Sequence, residues 1–392
     1  MPVNKKEHTT SETESPISLP PAQEVGQAFH HSLRQQIRAA VQTVMEEVMR
    51  EELTQFLGAA WGEATSTRRG YRNGTYTRNL ATSSGQIEDL QVPRDREGAF
   101  HTQAFERYSR YEPQVAEGLT QMFVAGVSTE KVGEVAQTLI GVTPSASTVS
   151  RLNQSLTEQF QAWQKRSLLE HYRIVYLDGI HFSVRHGEHC DATMILTALG
   201  VDLSGNREVL AFCASAEESQ EGWSVLLQDL CRRGVKEIDL IVTDGHQGLL
   251  AAVTNLFPAT LRQRCVVHKQ RNVLSAIPKR ERQQVSQEFW AIFKQESLKE
   301  AQLNLAAFQA KYQKRYPQAI ESLREDQEHL LTFYAFPGVM HRYIRSTNAI
   351  ESLFSNVRQR TDQIDTFTTE TSCLTIVWAV IQDIRLPRIP VG

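Results

Sequence analysis

Two aspartates of this 392-residue chain sit where a carboxylate is hard to keep. Asp178 lies in Ile174-Val-Tyr-Leu-Asp-Gly-Ile180, in the middle of an otherwise apolar strand. An unpaired buried charge costs several kcal/mol, so such a strand needs a cation or an Arg/Lys partner for it. Asp244 closes Leu240-Ile-Val-Thr-Asp-Gly-His246, where a strand runs into a helix, and the carboxyl ends of strands are where open sheets place their sites. Two carboxylates held close repel each other, and a divalent cation removes the repulsion by giving both an oxygen-loving partner. Either Asp-Gly alone also reads as an Asx turn. Two of them, each after a hydrophobic strand at matched positions, favour a pair acting together.

A third acid is open to two readings. Asn348-Ala-Ile-Glu351 fits a helix capping box, with Asn348 as the cap and Glu351 reaching back to its amide. Alternatively, the first turn of that helix aims Glu351 at the two aspartates, with Arg342, Arg345, Arg358 and Arg360 forming a phosphate-binding rim. Local pattern does not choose between them. Cys265-Val-Val-His268 is half of a zinc site, and no second pair with that spacing exists to close a four-ligand shell. His189 and Cys190 are the remaining completions. A buried thiol and a hydrogen-bonded histidine beside the site are expected rather than a structural zinc.

The elements that must carry these residues can be read from periodicity. Arg173–Val184, Ala192–Val201 and Arg207–Ala214 are apolar runs joined by polar or glycine-containing turns, and they predict three strands. A helix over Gly222–Arg233, a strand over Glu237–Thr243, a helix over Gln247–Leu256 and a strand over Thr260–His268 follow. Three strands, then helix, strand, helix, strand is the order of an RNase H-like mixed sheet in an α/β fold. In that order the first and fourth strands are neighbours, which puts Asp178 beside Asp244. After Asn272 the pattern is wholly helical to about Tyr334, and a last helix starts at Asn348.

Upstream, the polar, proline-containing stretch before about residue 23 reads as a disordered tail. The spacing of Ile37, Val41, Val44, Met45 and Val48 predicts a helix with one apolar stripe, docked on the body or on a twin subunit. Thr67–Tyr111 is rich in arginine, aromatics and turn residues. Asn73-Gly74 is a turn signal, and Thr75–Leu80 and Gln86–Val92 predict short strands. Arginines beside Tyr and Phe suit phosphate contact combined with ring stacking. Val127–Trp163 predicts two amphipathic helices around the Gly141-Val-Thr-Pro144 break, the outline of either a helix-turn-helix or a plain helical hairpin.

Composition sets bounds on the class. A hydrophobic fraction of 41% is enough for real cores, and no apolar run is long enough to span a bilayer. The beginning of the chain has no signal-peptide core, and five irregularly spaced cysteines make no disulfide framework. A cytoplasmic, nucleoid-associated location is the resulting expectation. The net charge of −3 argues mildly against a nucleic-acid partner. Its distribution matters more, because Arg262–Arg282 holds a local basic stripe with Glu281 as its one acid.

Taken in order, Tyr176-Leu-Asp-Gly-Ile-His181, Thr243-Asp-Gly-His-Gln-Gly-Leu249, Gln263-Arg-Cys-Val-Val-His-Lys-Gln-Arg-Asn272 and Ser346-Thr-Asn-Ala-Ile-Glu-Ser352 form a specific series. Tyr71-Arg-Asn-Gly74, Val92-Pro-Arg-Asp-Arg96, Gly126-Val-Ser-Thr129 and Ser147-Thr-Val-Ser-Arg151 precede it. From about residue 65 to 370 the chain resembles the insertion-sequence transposases of the Mutator superfamily. The resemblance implies an RNase H-like catalytic domain with Asp178, Asp244 and Glu351 as catalytic and metal-binding triad, two Mg²⁺ or Mn²⁺ ions, and an all-helical insertion before Glu351. It also implies DNA as partner, both terminal inverted repeats and target. The expected contacts are Arg68, Arg69, Arg72, Arg78, Arg94, Arg96, Arg151, Lys269, Arg271, Arg345 and Arg358, with Cys265, His268 and Asn348 as accessory residues.

The division that follows is a tail over 1–22, a helix and Arg-rich DNA-binding region over 23–125, and a helix-turn-helix-like region over 126–165. The catalytic domain occupies 166–272 and 345–392, interrupted by a helical insertion over 273–344. Joining two ends together calls for at least a homodimer. The rival readings are an RNase H-like nuclease without strand transfer and a non-catalytic DNA-binding descendant.

Overall fold

The computed structural model describes residues 22–105, 109–124, 127, 129–187, 189–362 and 364–391. The chain forms two compact units. One contains residues up to Leu119 together with Glu130–Ser145; the other contains Thr120–Thr129 and Ala146–Gly392. The sequence expectation of a tail before residue 23 lies almost wholly outside the described residues.

The first unit opens with helix α1 (Ala22–Leu57). The expected single stripe divides. Val41 and Met45 pack toward the core and continue into buried Met49, while Leu53 and Leu57 close on Phe100. Ile37, Val44 and Val48 remain exposed at 42%, 57% and 47%. Residues four apart advance by about 40° around a helix of 3.6 residues per turn, so contact along the row 41-45-49-53-57 migrates round the helix and leaves Ile37, Val44 and Val48 on its trailing side.

Strands β1 (Arg72–Thr82) and β2 (Gly85–Asp95) pair antiparallel and run longer than expected at both ends. Asn73-Gly74 does not make the hairpin turn. It falls inside β1, where the register shifts between Arg72 and Thr75 and Gly74 takes φ of 70°. The turn is Thr82–Gly85, tied by the Thr82 hydroxyl donating to the Gly85 carbonyl at 2.8 Å. Leu80, Ile87, Leu90 and Val92 pack with Met49 and Phe105 into a small core.

Helix α2 (Pro113–Val124) contains the boundary between the units. Helix α3 (Thr129–Ile140) belongs mainly to the first unit and α4 (Ala146–Gln164) to the second, so the two expected helices exist in different compact units.

The second unit is built on five strands: β3 (His171–His186), β4 (His189–Val201), β5 (Arg207–Ser215), β6 (Glu237–Thr243) and β7 (Leu261–Arg264). Their order across the sheet is β5-β4-β3-β6-β7. The first three form an antiparallel meander, whereas β3, β6 and β7 run parallel. Alternate residues of a strand face opposite sides, and both sides are covered. Val175, Leu177, Leu196 and Ala198 pack under α5 (Gln220–Arg232) and α6 (Gln247–Leu256) through Trp223, Leu226, Leu227, Leu249 and Val253. Ile174, Tyr176, Ile180 and Leu199 join the larger cluster that includes Phe160 of α4.

The predicted last strand stops early. Cys265 donates its amide to Thr243 O at 2.7 Å and Val266 donates to Arg345 O at 2.9 Å. Helix α7 (Val266–Ser275) starts there, so Cys265 and His268 stand on a helix entry rather than in a strand. Helices α8 (Arg282–Ile292), α9 (Leu298–Tyr312), α10 (Pro317–Arg324), α11 (Gln327–Leu330) and α12 (Gly338–Ile344) follow with no strand among them. The chain then returns to the sheet through α13 (Asn348–Thr361) and α14 (Glu370–Gln382). The sequence reading did not single out α14. Its run from Cys373 to Ile381 is apolar nearly all round, the mark of a buried helix. No helix among the described residues is long and apolar enough to cross a membrane.

Candidate active site

The parallel register of β3 with β6 pairs Leu177 with Thr243. The next residue in each segment is an aspartate, Asp178 within β3 and Asp244 directly past the end of β6. Asp178 Oδ1 accepts from the Gly179 amide at 2.9 Å, and Asp244 Oδ1 accepts from the His246 amide at 3.0 Å. Between Asp244 and His246 only glycine fits. Gly245 has φ of 85°, and a Cβ there would come within 2.2 Å of Arg264 Nε.

Burial pushes the Asp178 carboxyl up to about 7 against the pull of the Gly179 amide; the Asp244 charge raises it further, His268 lowers it and Glu351 raises it again. A carboxylate buried among other acids is the condition a cation relieves.

Glu351 reaches this group from the first turn of α13, more than a hundred residues beyond Asp244 in sequence. The expected capping box does not form as drawn. The helix begins at Asn348 and its N-cap position is Thr347, one residue earlier than proposed. Glu351 Oε1 accepts from the Thr347 hydroxyl at 2.9 Å rather than from an amide of Asn348, which is itself exposed. His268 Nε2 lies 3.9 Å from Glu351 Oε1, and Arg271 comes within 4.0 Å of Oε2.

Thr347 also joins α13 to the Cys265–His268 pair. Its amide and hydroxyl lie 3.4 and 3.3 Å from Cys265 Sγ, and the hydroxyl is 3.4 Å from His268 Nδ1. Burial alone would raise the Cys265 thiol, but hydrogen bonds from His268 and Thr347 outweigh it and hold the thiol below its ordinary value. His268 moves up, first through its bond to Cys265, against burial, and then through the charges of Cys265, Asp178 and Glu351.

A fourth acid, Glu218, belongs to the same neighbourhood and was missed in sequence. Burial raises its carboxyl, and the Asp244 charge raises it further, while His246, the Trp223 indole and His268 draw it down. The available signal was topological. β5 runs antiparallel to β4 and therefore in the same direction as β3, so the acids after Ser215 leave the sheet at the edge that carries Asp178.

The predicted basic residues divide by surroundings. Arg69, Arg94, Arg96, Arg151, Arg271 and Arg358 are exposed. Arg68 stacks over Tyr71 at 4.5 Å, and Arg345 lies over Trp290 at 5.3 Å. Arg72 turns inward, donating to Thr54 Oγ1 at 2.8 Å and Ala59 O at 2.9 Å. Arg78 covers the Phe105 ring and bonds the Ser109 carbonyl. Lys269 is 1% exposed, with Nζ 2.7 Å from Ser322 O and 2.9 Å from Asp326 Oδ2, so its charge is spent inside the fold. In the suggested rim, Arg360 pairs with Asp383 at 3.2 Å, and Arg342 lies over Tyr343 at 4.5 Å.

The donor chemistry separates two possible metal assignments. Asp178, Asp244 and Glu351 offer hard oxygen atoms of the kind Mg²⁺ and Mn²⁺ take. Cys265, His268 and Glu351 bring one sulfur, one nitrogen and one oxygen within 4.8 Å of one another. That set is one ligand short of a closed zinc shell, and its sulfur already accepts from Thr347.

The sequence profile described as "Transposase, Mutator family" matches residues 22–386. The transposase for insertion sequence element ISRM5 of Rhizobium meliloti (strain 1021) is 38% identical over 328 residues, covering 84% of this chain and 82% of that protein. The transposase for insertion sequence element IS256 in transposon Tn4001 of Staphylococcus aureus is 33% identical over 335 residues, 85% of each chain. The transposase for insertion sequence element IS905 of Lactococcus lactis subsp. lactis (strain IL1403) is 32% identical over 290 residues, 74% of this chain and 73% of that one. Among solved structures, a simian T-cell lymphotropic virus intasome with PP2A regulatory subunit B56 gamma covers 34% of this chain and 52% of that one, at 16% identity. Its TM-score of 0.19 is too low to bear on the fold.

Proposed function

The chain belongs to the Mutator family of transposases, and from that premise we propose that it cuts DNA at the ends of a mobile element and joins them to target DNA, with Asp178, Asp244 and Glu351 as its metal-binding triad. The observation that carries this reading is the buried Asp178 carboxyl, pushed up to about 7 by burial and by the charges of Asp244, which follows the neighbouring parallel strand, and of Glu351 on α13. The strand order β5-β4-β3-β6-β7, with its antiparallel half and parallel half, supports an RNase H-like reading of the sheet.

Asp178 and Asp244 would hold the ions from the sheet and Glu351 from α13. When bound, two divalent ions supply charge stabilisation at the attacking and departing oxygens of a phosphodiester. The residues do the positioning. Thr347 fixes the Glu351 carboxylate, Gly245 lets the chain turn against Arg264 directly after Asp244, and Arg271 places a cation beside Glu351 for a DNA phosphate. In hydrolysis a water oxygen attacks phosphorus and the 3′-oxygen leaves. In joining, that 3′-hydroxyl attacks a target phosphodiester and displaces another 3′-oxygen. One phosphodiester is exchanged for another, so no nucleotide hydrolysis is required.

The exposed arginines Arg69, Arg94 and Arg96 of the hairpin unit and Arg151 of α4 are the contacts we assign to the element's terminal inverted repeats, with Arg358 near the catalytic end. Lys269 is left out because its ammonium is buried. Two ends joined together call for at least a homodimer.

The test is strand transfer of a pre-nicked repeat end into plasmid with Mg²⁺ or Mn²⁺. Joined products support the reading, and cleavage without joining would favour a nuclease.

A further inference from the structure

Helix α1 presents two apolar faces, and the fold of the first unit accounts for one of them. Val41, Met45, Met49, Leu53 and Leu57 pack into its small cores. The trailing side carries Phe29, Leu33, Ile37, Ala40, Val44 and Val48, all open to solvent, with Phe29 at 62% and Val44 at 57% exposure. Six apolar residues at successive steps of four, four, three, four and four make one seam along about 30 Å of helix, the spacing by which one helix packs on another. Leu139 at the end of α3, 65% exposed, lines a groove together with Ile37 and widens the face. A contiguous apolar face on an otherwise charged helix marks a protein contact.

The spacing of the seam points to its occupant. Its steps read the same from either end. A second α1 laid antiparallel therefore brings Phe29 opposite Val48, Leu33 opposite Val44 and Ile37 opposite Ala40. Charge selects the same arrangement. From Phe29 to Ala40 the helix carries Arg34 and Arg38 and no acid. From Val44 to Phe56 it carries Glu46, Glu47, Glu51 and Glu52 against Arg50. Arg50 pairs with Glu46 at 3.1 Å, while Arg34, Glu47 and Glu51 are exposed and have no ion-pair partner among the described residues. An antiparallel copy lays the basic half of one helix along the acidic half of the other, whereas a parallel copy sets like charge against like.

We propose that α1 pairs antiparallel with α1 of a second copy of this chain, across the seam from Phe29 to Val48. The proposal rests on the reading that two copies join two ends, and it gives that homodimer a surface. The contact lies in the unit that carries the exposed Arg69, Arg94 and Arg96, so it couples two such units without involving Asp178, Asp244 or Glu351.

The test uses the full chain without DNA, followed by sedimentation velocity over a dilution series. Val44→Glu is expected to weaken the dimer at least about a hundredfold, because each copy then buries an unpaired charge against Leu33 of the other. Its melting temperature is expected to stay unchanged, since Val44 faces solvent in the single chain. Gln35→Glu, exposed on the opposite side of α1, is expected to leave the dimer intact. Orientation is read with a short bismaleimide after Cys190→Ser and Cys231→Ser remove the exposed native thiols. A mixture of Phe29→Cys and Val48→Cys chains is expected to cross-link, and Phe29→Cys alone is not, since antiparallel helices hold its two copies about 28 Å apart. A Val44→Glu dimer as tight as the parent overturns the proposal. Cross-linking of Phe29→Cys to itself, with none to Val48→Cys, identifies a parallel pair and overturns it as well. A lowered Val44→Glu melt with unchanged association places the face against its own chain, which also overturns it. So does a parent protein that stays monomeric at tens of micromolar; the homodimer reading is then decided separately, by counting chains in the complex that holds the joined ends.

Discussion

Thr347 donates its hydroxyl proton to Glu351 Oε1 at 2.9 Å while standing 3.3 Å from Cys265 Sγ. One hydroxyl has one proton, so the short bond to the carboxylate leaves the sulfur to the Thr347 amide at 3.4 Å. Thr347 and Cys265 are both 0% exposed. The start of α7 and the start of α13 are thereby fixed to each other, and the orientation of Glu351 with them. Thr347→Ala is expected to lower end cleavage about 10–100-fold, in the range seen for partners that orient metal ligands. Thr347→Ser, which keeps the donor, is expected to recover most of it. Equal loss in both variants, measured as cleavage rate at saturating Mg²⁺, contradicts the orienting role.

The raised Asp178 carboxyl makes a prediction about stability without metal. Its folded value of about 7 lies above an ordinary aspartate value of 3.8. The unfolded chain therefore gives up this proton first as pH rises. Stability contributed by the protonated group is complete below about pH 4, falls between pH 4 and 7, and is lost above that window. Asp178→Asn removes the titration. In EDTA the variant is expected to melt several degrees above the parent at pH 8, with the gain shrinking toward pH 4–5. A gain of the same size at both pH values contradicts the assignment of the shift to Asp178.

Two arginines three residues apart are expected to behave differently. Arg69 is exposed, whereas Arg72 bridges Thr54 and Ala59 at the end of α1. Arg69→Ala is expected to weaken repeat-DNA binding and reduce its salt slope by about one phosphate contact, leaving the melting temperature unchanged. Arg72→Ala is expected to destabilise the fold by about 1–3 kcal/mol, because the carbonyl of buried Ala59 and the half-buried Thr54 hydroxyl lose their donor. Fluorescence anisotropy across a salt series, run beside thermal melts, checks both.

Lys269 supplies the complementary case. Removing one member of a buried ion pair leaves the other charge uncompensated, at about 3–5 kcal/mol. Lys269→Met is expected to show a loss near the lower end, since Arg264 still reaches Asp326 Oδ2 at 3.1 Å. The salt slope of DNA binding is expected to stay unchanged. A changed slope with an unchanged melt would return Lys269 to the DNA-facing surface.

The parts of the fold that hydrophobic periodicity controls were legible in the sequence. The strands bearing Asp178 and Asp244 were readable because each is a β-branched run ended by Asp-Gly, and the placement of the two acids follows from the parallel pairing of β3 with β6. What escaped depends on contacts distant in sequence. The strand predicted through His268 ends at Arg264 because two amides are claimed by Thr243 and Arg345, one of them far along the chain. The cap of α13 moved to Thr347 because Cys265 and His268 engage its side chain. Charge counting could not separate Lys269 and Arg72, which turn inward, from Arg69 and Arg96, which do not. Glu218, one of two adjacent acids in a turn, has no local mark in the sequence; the packing of Gly248 against Ser219 and Gln220 brings that turn to the segment after Asp244.

Strand transfer of a pre-nicked repeat end by Asp178→Asn, Asp244→Asn and Glu351→Gln, with repeat binding and melting recorded on the same preparations, tests whether the three acids act as one metal-binding triad. Each variant is expected to fold and bind the repeat end but to join at least about a thousandfold less product, since loss of one ligand removes charge stabilisation worth several kcal/mol. Joining at the parental rate in any one of the three would contradict the place of that acid in the site.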